Sequence, residues 1–122
     1  MPKQILIADD GNTVRQLIRN FLEAKTPFRV CGEAVDGLDA IEKAKALKPD
    51  LILLDLAMPR MNGAEAASAL RDLMPDVPIV LFTMYDESVG ATLISTLGVK
   101  AVLSKPDGMG NLVSCVENLL RS

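Results

Sequence analysis

The chain has 122 residues, is 49% hydrophobic and 24% charged, and carries a formal net charge of -3 with a pI near 4.9. That length supports one domain with a real core. The composition excludes a disordered chain, and the acidic balance gives no support to a nucleic-acid-binding surface. The start Met1-Pro2-Lys3-Gln4 lacks an apolar signal core, and no apolar run reaches about 18 residues, so a cytoplasmic protein that neither is secreted nor spans a membrane is expected. The absence of His removes the commonest general base and transition-metal ligand. Cys31 and Cys115 each sit in an apolar-periodic segment and read as buried free thiols.

Lys3 to Ala8 reads as an aliphatic strand ending in Asp9-Asp10, and Gly11-Asn12-Thr13 offers turn and N-cap chemistry. Val14, Leu17, Ile18, Phe21 and Leu22 recur at helical spacing, predicting an amphipathic helix over Thr13 to Lys25 that Thr26-Pro27 breaks. Phe28 to Glu33 is a second strand and Asp36-Gly37 a turn. A helix follows from about Leu38 to Leu47, with Ile41 and Ala44 inward. Leu51-Ile52-Leu53-Leu54 is an unbroken aliphatic run, suited to a strand buried on both faces, and it leads directly into Asp55. Pro59 and the Met61-Asn62-Gly63 turn stop that strand and keep the next segment off the Asp55 side chain.

The next helix is alanine-rich, with Ala66, Ala67, Leu70, Leu73 and Met74 on one stripe, and Pro75 to Pro78 links it onward. Ile79 to Thr83 is a fourth buried strand ending in a hydroxyl. A helix from about Asp86 to Leu97 shows Val89, Leu93, Ile94 and Leu97, with Gly98 as its C-cap. Lys100 to Ser104 is a fifth strand, followed by Lys105-Pro106. Leu112, Val113, Val116, Leu119 and Leu120 mark a last helix.

Alternating strands and helices with short connections imply an α/β domain, with a parallel sheet, right-handed crossovers and helices on both faces. In that topology every loop after a strand opens on one edge of the sheet, where open α/β sheets place their ligand chemistry. Asp9, Asp10, Asp55, Thr83 and Lys105 therefore converge. Each alone has an ordinary explanation: a cap or turn for the acids, strand packing for Thr83, a solvated charge for Lys105. Together they form a different object. Two unit charges about 4 Å apart repel by about 4 kcal/mol at an effective dielectric near 20. Three carboxylates thus call for a cation, and all-oxygen, His-free ligation suits Mg²⁺. A divalent ion, a lysine and a hydroxyl can neutralise three phosphoryl oxygens, with Asp55 placed as an in-line nucleophile.

These residues carry a resemblance along the full chain. Asp9-Asp10 after the first strand, Asp55 with Met58-Pro59-x-Met61-x-Gly63, Thr83 after the fourth strand and Lys105-Pro106 after the fifth resemble the receiver domain of two-component response regulators. The family's fold is flavodoxin-like and doubly wound, with strand order 2-1-3-4-5; the chemotaxis receiver is a standard example of it. Leu81 to Asp86, and Arg15 after the acidic pair, are most similar to the LuxR/NarL-type subfamily, whose full-length members carry a C-terminal helix-turn-helix. The resemblance implies one receiver domain over residues 1–122, as a stand-alone receiver or a fragment of a longer regulator. It implies Asp55 as phosphoacceptor from a sensor histidine kinase, and a protein that catalyses only its own phosphorylation and dephosphorylation. Mg²⁺ would be held by Asp10 and Asp55 directly, by Asp9 through water and by the Ala57 carbonyl. Thr83 and Lys105 would meet phosphoryl oxygens, and the Lys105-Pro106 bond would be cis. Phosphorylation would repack the surface of the fourth helix, fifth strand and fifth helix, and dimerisation through the last helices is the family's habit.

Two positions depart from the family pattern. Val102 stands where Tyr or Phe is usual, and reads first as plain strand packing; coupling would then run through loop movement or repacking of the fourth helix. Met84 stands where a small residue is common, as a filler or as bulk that limits access to Asp55. Rival readings are weaker. A haloacid-dehalogenase-like phosphatase needs a second Asp where this chain has Ala57. A nucleotide or flavin module wants a glycine- or hydroxyl-rich phosphate loop after the first strand, where Asp9-Asp10 would repel phosphate. A degenerate docking receiver would lack the site residues that are present here.

Overall fold

The structure, a computed structural model, describes residues 2–83, 90–104 and 109–121. Five strands and five helices alternate along the chain: β1 Gln4–Ala8, α1 Asn12–Lys25, β2 Arg29–Ala34, α2 Gly37–Leu47, β3 Leu51–Leu54, α3 Gly63–Leu73, β4 Ile79–Thr83, α4 Gly90–Leu97, β5 Ala101–Ser104 and α5 Met109–Leu120. All pairings are parallel and the sheet order is β2-β1-β3-β4-β5. This is the flavodoxin-like doubly wound α/β fold expected from the sequence. Met84, Tyr85, Lys105 and Pro106 lie outside the described residues, as does the start of the helix expected from Asp86.

The period of two along each strand divides the core into two layers. Leu6, Ala8, Ile52, Leu54, Ile79 and Leu81 face one side, where they meet Ala40 and Ala44 of α2 and Ala66, Ala67 and Leu70 of α3. Ile5, Ile7, Leu51, Leu53, Val80 and Phe82 face the other, against Ile18 and Leu22 of α1 and Leu112, Val116 and Leu120 of α5. Every residue of β3 is buried, as its unbroken aliphatic run predicts for a strand covered on both faces. Val102 packs against the α2–α3 layer together with Leu93 and Leu97 of α4, in the manner of an ordinary strand residue.

Some helical positions differ from expectation. Leu17 is 57% exposed, whereas Arg15 is buried. The two lie roughly 200° apart around the helix axis, so only one can face inward. Ion pairing, described below, decides in favour of Arg15. Leu73, the last residue of α3, is 49% exposed; the chain turns at Met74, whose backbone leaves the helical region and whose side chain packs on the core in its place. Ile94 is also exposed, while its neighbour Leu93 packs inward. Gly98 caps α4 as expected, with φ of 71° and its N–H donating to the Ile94 carbonyl. Cys31 and Cys115 are free and half-buried, and burial pushes both thiols up.

Candidate functional site

The acids are brought together by strand register before any side-chain chemistry acts. Ala8 pairs with Leu54, and Leu54 with Leu81, so Asp9 and Asp55 leave adjacent strands at the same level and Thr83 ends the next strand over. The ladder continues one residue past the strands: Asp55 N–H donates to the Ala8 carbonyl at 2.9 Å, and Asp9 N–H to the Ala34 carbonyl at 3.0 Å. The main chain under both carboxylates is thereby fixed.

Asp9, Asp10 and Asp55 each present a carboxylate oxygen within 4.8 Å of the others. Asp9 and Asp55 are buried and Asp10 is exposed, so the cluster opens to solvent on one side. Asp9 Oδ1 accepts from Gly11 N–H at 2.8 Å, which orients the carboxylate at the entry to α1. The N-cap position of α1 is Gly11, without a side-chain capping bond; the cap expected from Asn12 or Thr13 does not form, because both already lie within the helix and the local side-chain bond comes from Asp9. Ala57 N–H lies 3.4 Å from Asp55 Oδ1, folding the loop after β3 back over the acid. Thr83 is buried at the end of β4 and pairs with Ser104 of β5. Lys105, the next residue, lies outside the described residues.

The donor set fits a hard divalent cation. Oxygen ligands from three carboxylates converge, and an exposed side leaves space for retained waters, which is what Mg²⁺ demands. Softer metals would want His or Cys; the chain has no His, and neither cysteine belongs to the cluster.

The loop that carries Ala57 is held by contacts that sequence periodicity does not reveal. Gly63 N–H donates to the Leu56 carbonyl at 2.8 Å. A Cβ at Gly63 would stand 2.1 Å from the Asp55 carbonyl oxygen and 2.7 Å from Leu56 Cα, so only glycine fits there. Asn62 and Glu65 form a reciprocal capping box at the start of α3; the Asn-x-x-Glu spacing is the signal that could have found it. On the other side, Arg60 adopts a left-handed φ of 63° and binds Asp36, with Nε donating at 2.7 Å and Nη2 at 2.6 Å from the same Oδ2. Gly37 N–H donates to the Met61 carbonyl at 2.9 Å. The turn before α2 and the loop after Asp55 are thus clasped together.

Asp36 also caps α2. The Asp39 N–H that it accepts, and then Arg60, hold its carboxyl below the usual carboxylate range. A depressed native pKa means stability that is present above the unfolded value, near 3.9, and lost as pH falls through the native value. Asp36→Asn keeps an acceptor for the cap but no charge. Acid titration followed by circular dichroism should therefore show a flatter loss of structure below about pH 4 in the variant than in the parent.

The chain matches the family model for the response regulator receiver domain over residues 5–117. It is 35% identical over 116 residues to the response regulator protein VraR of Staphylococcus saprophyticus, covering 95% of this chain and 56% of VraR. It is 36% identical over 108 residues to a protein-glutamate methylesterase/protein-glutamine glutaminase of Myxococcus xanthus, covering 88% of this chain and 31% of that protein. The chain therefore spans about a third to about half of these curated relatives. The signal receiver domain of the putative response regulator NarL from Mycobacterium tuberculosis superposes with a TM-score of 0.86 at 30% identity, covering 96% of this chain and 94% of that one. Receiver domains in general bind Mg²⁺ at an acidic pocket, work with histidine kinases and are not enzymes toward other substrates. With the strand order, the acid cluster and the family match in agreement, this chain belongs to the response regulator receiver domains of two-component systems.

Proposed function

We propose that this chain is a phosphorylation-driven switch in which Asp55 accepts a phosphoryl group from the phosphohistidine of a sensor kinase. The observation that carries the reading is the convergence of Asp9, Asp10 and Asp55 within 4.8 Å at the carboxyl edge of the sheet. Asp10 and Asp55 would hold Mg²⁺ directly, with Asp9 acting through water and the Ala57 carbonyl as a further ligand. Bound Mg²⁺ supplies charge neutralisation for the acids and for the incoming phosphoryl oxygens. One Asp55 carboxylate oxygen attacks phosphorus in line; the O–P bond forms as the P–N bond to the donor imidazole breaks, and the imidazole nitrogen leaves with the electron pair. The Thr83 hydroxyl donates to one phosphoryl oxygen and Lys105 pairs with another.

The consequence is a change in charge at one end of β3 and β4. The movement of Thr83 toward the phosphoryl group biases the packing of α4, β5 and α5. Val102 lacks the ring through which an aromatic residue at its position would couple to Thr83, so coupling here runs through loop movement or repacking of α4. The output is control of transcription through an effector domain outside these residues, a reading supported by the 43% identity over 83 residues to the uncharacterized transcriptional regulatory protein YxjL of Bacillus subtilis. The domain acts in the cytoplasm, spans residues 1–122 and pairs with a second copy through its last helices.

The test is incubation with a small-molecule phosphodonor, with Mg²⁺ or with EDTA, followed by intact mass. A gain of one phosphoryl group, with Mg²⁺ only and mapped to Asp55, is expected. Phosphorylation at another residue, or none under any condition, would overturn the assignment.

A further inference from the structure

Arg15 is buried while Leu17, on the opposite side of the same helix, is 57% exposed. That roll inverts the ordinary preference, because burying a guanidinium and exposing a leucine are both unfavourable. It is sustained by an acceptor for each of the three guanidinium nitrogens. Arg15 Nη1 donates to the Asp9 main-chain carbonyl at 2.7 Å, Nε to Glu33 Oε1 at 2.9 Å and Nη2 to Asn12 Oδ1 at 3.1 Å. Glu33 is held in turn by Arg19 through its other oxygen, at 2.6 Å. Lys43 donates to the Glu33 carbonyl.

The acceptor at Asp9 is the carbonyl of the peptide joining Asp9 to Asp10. Asp9 is thus gripped at both ends of its main chain: its N–H donates to the Ala34 carbonyl, and its carbonyl, in the peptide that leads into Asp10, accepts from Arg15. The grip sets the direction in which the exposed Asp10 carboxylate leaves the chain. We infer that Arg15 is a positioning residue for the metal-binding acids, holding the Asp9–Asp10 peptide so that Asp10 stays within reach of Asp9 and Asp55. The inference rests on the reading of these acids as a Mg²⁺ site.

Charge and position make opposite predictions, which gives the test its force. Were Arg15 merely a nearby positive charge, its removal would tighten Mg²⁺ binding. As a positioning residue, its removal weakens binding, in the range of about tenfold that loss of an outer-sphere partner of a metal ligand costs. The experiment is calorimetric titration of the full chain with Mg²⁺, for the parent, Arg15→Met, Arg15→Lys and Arg19→Met, with melting curves in EDTA alongside. Arg15→Met is expected to bind about tenfold more weakly. Arg15→Lys, which keeps the charge but not the fork, is expected to fall between it and the parent. Arg19→Met shares Glu33 but does not touch Asp9, and is expected to keep parental affinity even where its melting temperature falls. Parental or tighter affinity in Arg15→Met would overturn the inference. Should Arg15→Met fail to fold, parental affinity in Arg15→Lys would do the same. A parent that binds no Mg²⁺ would overturn the underlying site reading as well.

Discussion

Asp55→Asn is expected to abolish phosphoryl uptake from a small-molecule donor and, without metal, to raise the melting temperature. The first effect follows from chemistry, since an amide oxygen is no substitute for a carboxylate nucleophile. The second follows from electrostatics. Asp55 and Asp9 are buried, and both lie within 4.8 Å of Asp10. An Asn fills the same volume and keeps the Oδ1 acceptor facing Ala57 N–H, while removing one of three mutually repelling charges. Because Asp10 is open to solvent, only part of the repulsion survives screening, and a net gain of about 1 kcal/mol is expected. That corresponds to roughly 3–4 °C in a chain of this size. Intact mass with Mg²⁺ and donor, and calorimetry in EDTA, check the two parts.

Gly63→Ala is expected to be the most damaging single-methyl change in the loop after Asp55. The added Cβ would meet the Asp55 carbonyl oxygen at 2.1 Å and Leu56 Cα at 2.7 Å. Both are main-chain atoms and cannot swing aside as a flexible side chain could. Relief requires α3 to move away from β3, yet Ala66, Ala67 and Leu70 are fully buried against the sheet. Overpacking of this kind costs up to about 3 kcal/mol, or about 10 °C in melting temperature. Equilibrium urea unfolding reads it as a lower midpoint at unchanged slope. The neighbouring change Ala64→Gly, at a half-buried position in the same turn, is expected to cost about 1 kcal/mol.

The sheet was legible because its signal is local. An aliphatic run ending in Asp, a run ending in Thr and the regular alternation with helices fix strand identity, and parallel topology then places their ends on one edge. Asp9, Asp10 and Asp55 could therefore be brought together from residues that are far apart in the chain. What escaped depends on partners that no period encodes. Arg15 is buried because Glu33, 18 residues on, and the Asp9 carbonyl satisfy it, so a hydrophobic stripe that includes Leu17 gives the wrong roll for α1. Arg60 takes a left-handed backbone with no glycine to announce it, paired with Asp36, 24 residues back. Gly63 was readable as a turn residue, but its approach to the Asp55 carbonyl emerges only once α3 is docked on the sheet. Long-range pairing and close packing, rather than propensity, decide these features.

In the proposed switch Asp9, Asp10 and Asp55 act together as one cation site. Calorimetric titration with Mg²⁺ tests it most directly: the parent should bind one ion per chain, and Asp55→Asn should bind it markedly more weakly. No saturable binding by the parent, or equal affinity in the two proteins, would contradict it.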